Sequence, residues 1–506
     1  MARYASIDIG SNSIRMLAAE ALDGGGIREL AAERQVVRLG TSVFRDGRLS
    51  NDAMNLACQS LERMSAVYRQ LDVLAIRAVG TAALRDALNR EEFLARASGI
   101  LGAPVEIISG LEEARLIHLG VQLRWPHPKQ KVLIADIGGG SAELVLSEKG
   151  HLMESYSKSL GAVRMSELFL KSDPPDPREL VRLQRYIQER LAGPAAKFSR
   201  AKIDRMIATS ATAAAAVCAA NNIRRSQRDE ADKMRASQSQ IRRLLTELST
   251  LSVAQRAKHT GIGPRRAEII VAGVAVLLEI MQLCGAASLY YSNAGVRDGI
   301  IADLIHHRAG GSMDEDQRHA VQALAHRYGI NARHAAKVAS LATQLFEGLT
   351  PLHRLPLECG RVLEAGAYLY NIGHFVNESK HHRHSLYLVY NSDLPGFTDR
   401  ERLMVANLCR YHRKSMPQPT HEMFQTLPSE DRRAVVLLAP LLRLAVALDQ
   451  SQQQRVGRVE CVTNNGQAEL RLFANADLDI EQWQANSIAP VFEEVYGLPL
   501  SIKVKR

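Results

Sequence analysis

The chain has 506 residues, of which 46% are apolar and 23% charged; that composition excludes a disordered or fibrous protein and supplies real hydrophobic cores. The length exceeds what one core usually organises, so three or four domains are expected. A net charge of +10 favours an anionic partner by raising the local concentration of polyanions; nucleic acid, inorganic polyphosphate and acidic membrane all qualify on this ground.

In chain order, MARYASIDIG reads as a strand and not an export signal, and the cysteines 58, 218, 284, 359, 409 and 461 contain no CxxC. A reducing compartment, the cytoplasm, is therefore expected. Up to about residue 305, the β-rich runs ARYASIDIG, IRAVGT, VEIIS, KVLIADIGGG, AELVLS, RMIATS and SLYYSN alternate with amphipathic segments, an α/β pattern of sheets covered by helices. IADIGGGSAELVL repeats the strand, glycine turn and strand of SIDIGSNSIRMLA. Two similar lobes would set these two turns on opposite sides of one cleft.

HHRAGGSMDEDQ reads as a linker, followed over 315–450 by helical periodicity. Beyond a polar stretch at 451–458, VECVTNNGQAELRLF predicts a hairpin turning at Asn465-Gly466, then a helix around 481–496 and a strand in LSIKVKR. The expected domains are 1–122, 123–308, 315–450 and 455–506. The longest apolar runs are interrupted by Glu279 and by Pro440 and Arg443, so buried helices and no membrane span are expected.

A lone glycine turn after a strand is weak evidence for a ligand site. Here Asp8-Ile9-Gly10-Ser11-Asn12-Ser13 and Asp136-Ile137-Gly138-Gly139-Gly140-Ser141-Ala142-Glu143 each place an acid at a strand end, with glycines and hydroxyls after it. Glycine lets backbone amides approach phosphate oxygens, hydroxyls add donors, and the acid can hold a phosphate-bound Mg²⁺ through water. Arg15 follows the first turn and Arg85 follows Gly80-Thr81; fixed guanidinium forks suit the charge that develops on a transferring phosphoryl group, and either could instead be a surface ion-pair member. Ser109-Gly110-Leu111-Glu112 has the form of a capping box, which gives Glu112 a structural task and leaves Glu113 to point elsewhere. Glu143, two residues past Ser141, could return to the cleft or lie exposed on its strand.

At the two turns the sequence resembles the actin/Hsp70/sugar-kinase superfamily. VGTAALRDALNREEFL, VEIISGLEEARLIHLGV and HHRHSLYLVYNSDLPGF with the later RYHRK narrow the resemblance to the exopolyphosphatase/guanosine pentaphosphatase family, over residues 4 to about 450. The resemblance implies two actin-like (ribonuclease H-like) α/β lobes with a cleft, an all-helical degenerate HD-like domain and a small α+β module. It implies Mg²⁺-dependent release of terminal orthophosphate from inorganic polyphosphate, or from guanosine pentaphosphate, by a homodimeric enzyme with no nucleic-acid partner. Glu113 stands where the family has its proposed catalytic base. Asp8, Gly10, Ser11, Asn12, Ser13, Arg15, Gly138, Gly139, Gly140 and Ser141 would bind phosphate, Arg85 would stabilise the transition state, and Asp136 and Glu143 would hold Mg²⁺, with Glu143 alternatively orienting water.

A phosphotransferase would need a nucleoside clamp, and neither 208–212 nor 292–299 is a clear one. An active HD site needs an adjacent His-Asp pair where this chain has Tyr370-Asn371, poor ligands for a divalent ion. Besides His334 and His374, the residues His381, His382, Arg383, His384, Arg410, His412, Arg413 and Lys414 are therefore expected to line a basic track for a polyanion or an ordinary solvated face.

Overall fold

The computed structural model describes residues 2–22, 25–198, 200–307, 311–464 and 466–505. Part of the expected linker, 308–310, and the turn residue Asn465 lie outside the described residues. The chain forms two compact units, Met1–His306 and His307–Arg506.

In the first unit, β1 (Arg3–Ile9), β2 (Ser13–Ala21), β3 (Ile27–Val36), β4 (Ala75–Gly80) and β5 (Val105–Ile107) form one sheet in the order β3-β2-β1-β4-β5. The second sheet holds β6 (Lys131–Ile137), β7 (Ala142–Glu148), β8 (His151–Lys158), β9 (Arg205–Thr209), β10 (Arg235–Ser237) and β11 (Ser288–Tyr291), ordered β10-β11-β9-β6-β7-β8. In each sheet an antiparallel meander is extended by parallel strands on the side of its first strand, and in the second sheet β10 adds an antiparallel edge to β11. This is the paired-lobe α/β architecture implied by the resemblance. Strands β3, β8 and β10 are additions to the strands read from sequence. β3 and β8 are half exposed, and β10 is three residues long, so none carries the apolar run that marks a buried strand.

Two helices tie the sheets together. The helix Gly110–Arg124 leaves the first sheet and packs on β7 and β8, so the expected boundary at 122/123 falls inside a shared helix. The helix Val296–His307 returns from the second lobe, where Ile300 joins Ile134, Val145 and Ile207, while Ile301 joins Tyr4 and Leu17 of the first sheet. The two helices meet backbone to backbone: a Cβ on Gly120 would lie 2.3 Å from the Gly295 carbonyl oxygen, and one on Gly299 would lie 1.8 Å from that of Leu116. Only glycine permits that approach.

The second unit is mainly helical. Its helices Ala332–Gly348, Glu358–Leu369, Asp399–Tyr411 and Ser429–Ala447 share one core with the sheet β12 (Arg458–Asn464), β13 (Gln467–Phe473) and β14 (Leu500–Lys505): Leu345, Leu408 and Leu441 pack in the same cluster as Val459, Leu470 and Ile502. The single helix expected around 481–496 is two, Asp479–Asn486 and Ala489–Tyr496. Pro490 opens the second helix, where its missing N–H costs nothing, and would have broken a continuous one. Among the described residues no helix is long and apolar enough to cross a membrane.

Replacing Gly299 with alanine forces the two tie helices apart and should cost about 3 kcal/mol of stability, the upper range for overpacking. Denaturant unfolding checks this, and a loss below about 0.5 kcal/mol, the scale of ordinary surface changes, would contradict the packing described.

Candidate active site

Both turns close the same way. Gly10 N–H donates to the Ser13 carbonyl (3.2 Å) and Gly138 N–H to that of Ser141 (3.0 Å). The first turn is held by the Asn12 carbonyl, which accepts from Val37 and Arg38 N–H (3.1 Å each), by Gly40 N–H on the Ser11 carbonyl (2.7 Å), and by the Ser11 hydroxyl, which accepts from Ala83 N–H (3.2 Å). The second is pinned by the start of the helix Ala162–Phe169: Ala162 N–H donates to the Gly138 carbonyl and Val163 N–H to that of Gly139 (2.9 Å each), and Arg164 Nε donates to that of Gly140 (2.8 Å). The turns face each other at contact distance. A Cβ on Gly139 would lie 3.0 Å from Ser11 Cβ, and one on Gly140 would lie 2.5 Å from the Phe44 ring and 2.7 Å from Ala82 Cβ. These glycines are required by the meeting of the two lobes as well as by any ligand.

Register then decides which side chains share the cleft face, because directly opposed residues of an antiparallel pair point the same way. In the first lobe Asp8 opposes Arg15, and Arg15 opposes Arg34. In the second, Asp136 opposes Glu143. The repeated architecture therefore presents a carboxylate beside guanidinium groups on one side and a pair of carboxylates on the other.

Asp8, Glu113 and Glu143 are buried and Asp136 is half-buried, and loss of solvation, which disfavours the charged form, is the largest cause raising each of their pKa values. Asp136 accepts from the Thr209 hydroxyl at 2.5 Å, which partly offsets that rise. Glu143 accepts from the Ser157 hydroxyl at 2.8 Å through Oε1, while its Oε2 is buried with no hydrogen-bond partner. Its pKa is raised further by the charges of Glu113 and Asp136. Glu113, in the first turn of the helix Gly110–Arg124, takes both Nη atoms of Arg85 on Oε2 at 3.1 Å. Burial, with the charges of Asp8 and Asp136, nonetheless lifts it to about 7. Arg85 also donates to the Ile108 carbonyl at 2.7 Å; it stands here as the partner of Glu113.

The Ser109 hydroxyl caps the helix by accepting from Glu112 N–H (3.2 Å). The capping box expected of Glu112 is formed only in its Ser109 half; the Glu112 carboxylate is engaged instead by guanidinium groups, Arg115 at 2.9 and 3.0 Å and Arg77 at 3.3 Å.

Sequence reading missed a group of arginines. Arg266 is buried and lowered to about 9, first by burial and then by the charge of Arg15 and Arg228; Arg297 is lowered by burial, with Arg15 again opposing it and Asp298 and Asp8 favouring its charge; Arg34, exposed on β3, adds its charge beside Asp8. Like charges set directly opposite on a sheet face repel, and the Arg15/Arg34 pairing concentrates positive charge beside Asp8. The signal lay in the pairing of β2 with β3, which no local motif carries. The segments 208–212 and 292–299 prove to be supports: Thr209 holds Asp136, Thr212 donates to the Ile137 carbonyl (3.2 Å), and Asp298 accepts from Gly295 N–H and Arg124.

In the second unit the expected basic track needs correction. His381, His382 and His412 are buried and their pKa values are lowered by burial, to about 4 for His382 and about 3 for His412, so they are neutral core groups near pH 7. Arg383, Arg413 and Lys414 are the exposed cations of that segment. His334 Nδ1 meets Asp449 at 2.8 Å and its Nε2 meets the Tyr370 hydroxyl at 2.7 Å, so both ring nitrogens are engaged. Among the described residues no group of three or more His, Cys, Asp or Glu side chains is arranged to hold a metal ion.

Comparison with known proteins agrees with the first unit's architecture. The profile of the Ppx/GppA phosphatase family matches residues 18–308, and that of Ppx/GppA phosphatase, domain III, matches residues 317–486. Among solved structures, the chain is similar to a Ppx/GppA family member from Aquifex aeolicus, with 28% identity, a TM-score of 0.54, and coverage of 61% of this chain and 99% of that one. It is similar to an exopolyphosphatase-like protein at 27% identity and a TM-score of 0.57, covering 60% of this chain and 97% of that one. An exopolyphosphatase from Cytophaga hutchinsonii, 23% identical with a TM-score of 0.56 over 60% of this chain and 98% of its own, shares the fold.

The position of Glu113 has a thermodynamic consequence. Its pKa is about 7 in the folded protein against an ordinary 4.5, so the native state binds the extra proton, and stability falls as pH rises from about 4.5 through 7. Unfolding of Glu113→Gln across that window should show a shallower decline than wild type; parallel curves would mean that Glu113 titrates normally.

Proposed function

Since the chain belongs to the Ppx/GppA phosphatase family, we propose that it hydrolyses the terminal phosphoanhydride of inorganic polyphosphate. The observation that carries this reading is Glu113, a buried carboxylate held by Arg85 through two 3.1 Å bonds and raised to about 7 by burial, with the charges of the leading acids of both turns adding to the rise. That pKa suits a general base at neutral pH. The turns led by Asp8 and Asp136 hold the terminal phosphates. Glu113 accepts a proton from water as its oxygen attacks the terminal phosphorus; the bridging P–O bond breaks, orthophosphate departs and the chain is one unit shorter. Arg85 steadies Glu113, and in this reading its guanidinium fork also takes phosphoryl oxygens as charge builds on them. The opposed Arg15 and Arg34, with Arg266 and Arg297, supply positive charge for the phosphates that follow, which favours a polyanionic chain over a single phosphate ester.

The residues present fit Mg²⁺. Asp136 and Glu143 offer hard carboxylate oxygens from adjacent strands, and Glu143 Oε2 has no hydrogen-bond partner; Mg²⁺ keeps several waters and commonly needs one or two carboxylates beside the substrate phosphates. The chemistry an ion held there would supply is neutralisation of phosphate charge.

The helical region is read as a degenerate HD relative, with Tyr370 hydrogen-bonded to His334 where an active site would bring a metal ligand. Arg383, Arg413 and Lys414 are proposed as contacts for long chains. Their combined replacement by alanine should raise KM for long polyphosphate several-fold more than for short; equal effects on both would reject that role.

The central test is phosphate release, with Mg²⁺, by wild type and Glu113→Gln on long polyphosphate, guanosine pentaphosphate and ATP. Wild type should favour polyphosphate, and the substitution should lower kcat by about 10²–10⁴-fold, the range for loss of a general base. Preference for guanosine pentaphosphate, which offers the same terminal anhydride, would move the substrate assignment within the family. Equal wild-type and mutant rates would remove Glu113 from the chemistry.

A further inference from the structure

A buried ion-pair network lies directly behind Glu113. Arg115 forks onto Glu112 at 2.9 and 3.0 Å and reaches Asp303 at 2.6 Å. Arg77 reaches the other Asp303 oxygen at 2.6 Å, Glu112 at 3.3 Å and Glu106 at 3.1 Å. The side chains of Arg77, Glu112, Arg115 and Asp303 are all less than one-tenth exposed. They come from β4, the helix Gly110–Arg124 and the helix Val296–His307, and Glu106 adds β5.

Such a network is poor value as a source of stability alone, because desolvating several charges offsets most of the attraction and apolar side chains of the same volume often serve as well. It does supply direction. Successive residues on a helix point about 100° apart, so gripping Glu112 between Arg77 and Arg115 fixes the rotation of the first helical turn and aims Glu113 at Arg85 on the other side. The grip is shared with Asp303 on the returning helix, and the glycine contacts at Gly120 and Gly299 hold the two helices at one separation. The position of Glu113 relative to the turns of both lobes is thus set where the tie helices meet.

We infer that the Arg77–Glu112–Arg115–Asp303 network is the positioning device for the catalytic carboxylate, with Asp303 as the positioning residue that couples Glu113 to the junction of the two lobes. This rests on the reading of Glu113 as the general base.

The test uses the full chain and orthophosphate release from polyphosphate, comparing Asp303→Asn, Glu113→Gln and the double variant, with thermal unfolding of each. Glu20→Gln serves as a control, since Glu20 is another buried carboxylate of the first sheet held by two arginines, Arg3 and Arg28. Asp303→Asn should lower kcat at least tenfold with KM changed less than twofold, and should lower the residual rate of Glu113→Gln by less than twofold. Glu20→Gln should lower the melting temperature without that fall in kcat. Multiplicative losses in the double variant, an equal kcat loss in Glu20→Gln, or wild-type kcat in a folded Asp303→Asn would each overturn the inference. If Asp303→Asn does not fold, Arg77→Lys, which keeps the charge and loses the fork, enters the same comparison with the same expected pattern. Full activity of Glu113→Gln would instead strike the general-base reading, a result distinguishable because it needs no Asp303 variant.

Discussion

Four carboxylates, three of them buried and Asp136 half-buried, come together where two sheets and a helix start meet, and most of the surrounding structure answers that constraint. Each acid is pushed toward its neutral form by burial, and Glu113 and Glu143 repel one another when both are charged. The compensations are specific: Thr209 for Asp136, Ser157 for Glu143, Arg85 for Glu113 and Arg15 for Asp8. None is complete, as the unpartnered oxygen of Glu143 shows. A site under this electrostatic load is relieved by ligands that bring opposite charge, and the arginines beside it carry the complementary load. Polar groups held apart from their ideal partners are what a site for cation and polyanion together would retain.

The internal repetition explains how such a site arises. Two sheets that share a meander with parallel strands beside it present their first turns to each other, so backbone geometry is shared while side-chain chemistry diverges at the register position opposite the leading acid. Opposite Asp8 stands Arg15; opposite Asp136 stands Glu143. One change of sign separates a lobe whose acid stands beside an arginine from one whose acid stands beside a second carboxylate.

The second unit follows different physics. Its small sheet and helices share one apolar core, and histidines that look like a cationic cluster in sequence are largely buried and neutral. Desolvation decides their charge, and desolvation depends on packing that adjacent residues do not reveal. The engagement of His334 by Asp449 and Tyr370 likewise joins groups distant along the chain.

Local chemistry was legible in the sequence wherever it was contiguous. The strand-turn-strand units led by Asp8 and Asp136 carry their own glycines and hydroxyls, the seven β-rich runs became strands, and the Ser109 cap was readable because it spans one helical turn. The split of the predicted 481–496 helix was available from Pro490 alone. What only the tertiary structure decided was the pairing of distant charges: Arg34 reaches the site by strand register, Glu112 is held by Arg77 and Arg115 within reach of Asp303, and the glycines of the second turn are required by Ser11, Phe44 and Ala82 of the opposite lobe. Periodicity and spacing fix which way a side chain leaves its own element. The energy of a buried charge depends on what arrives from other elements, and that is set only when the two lobes close around the shared helices.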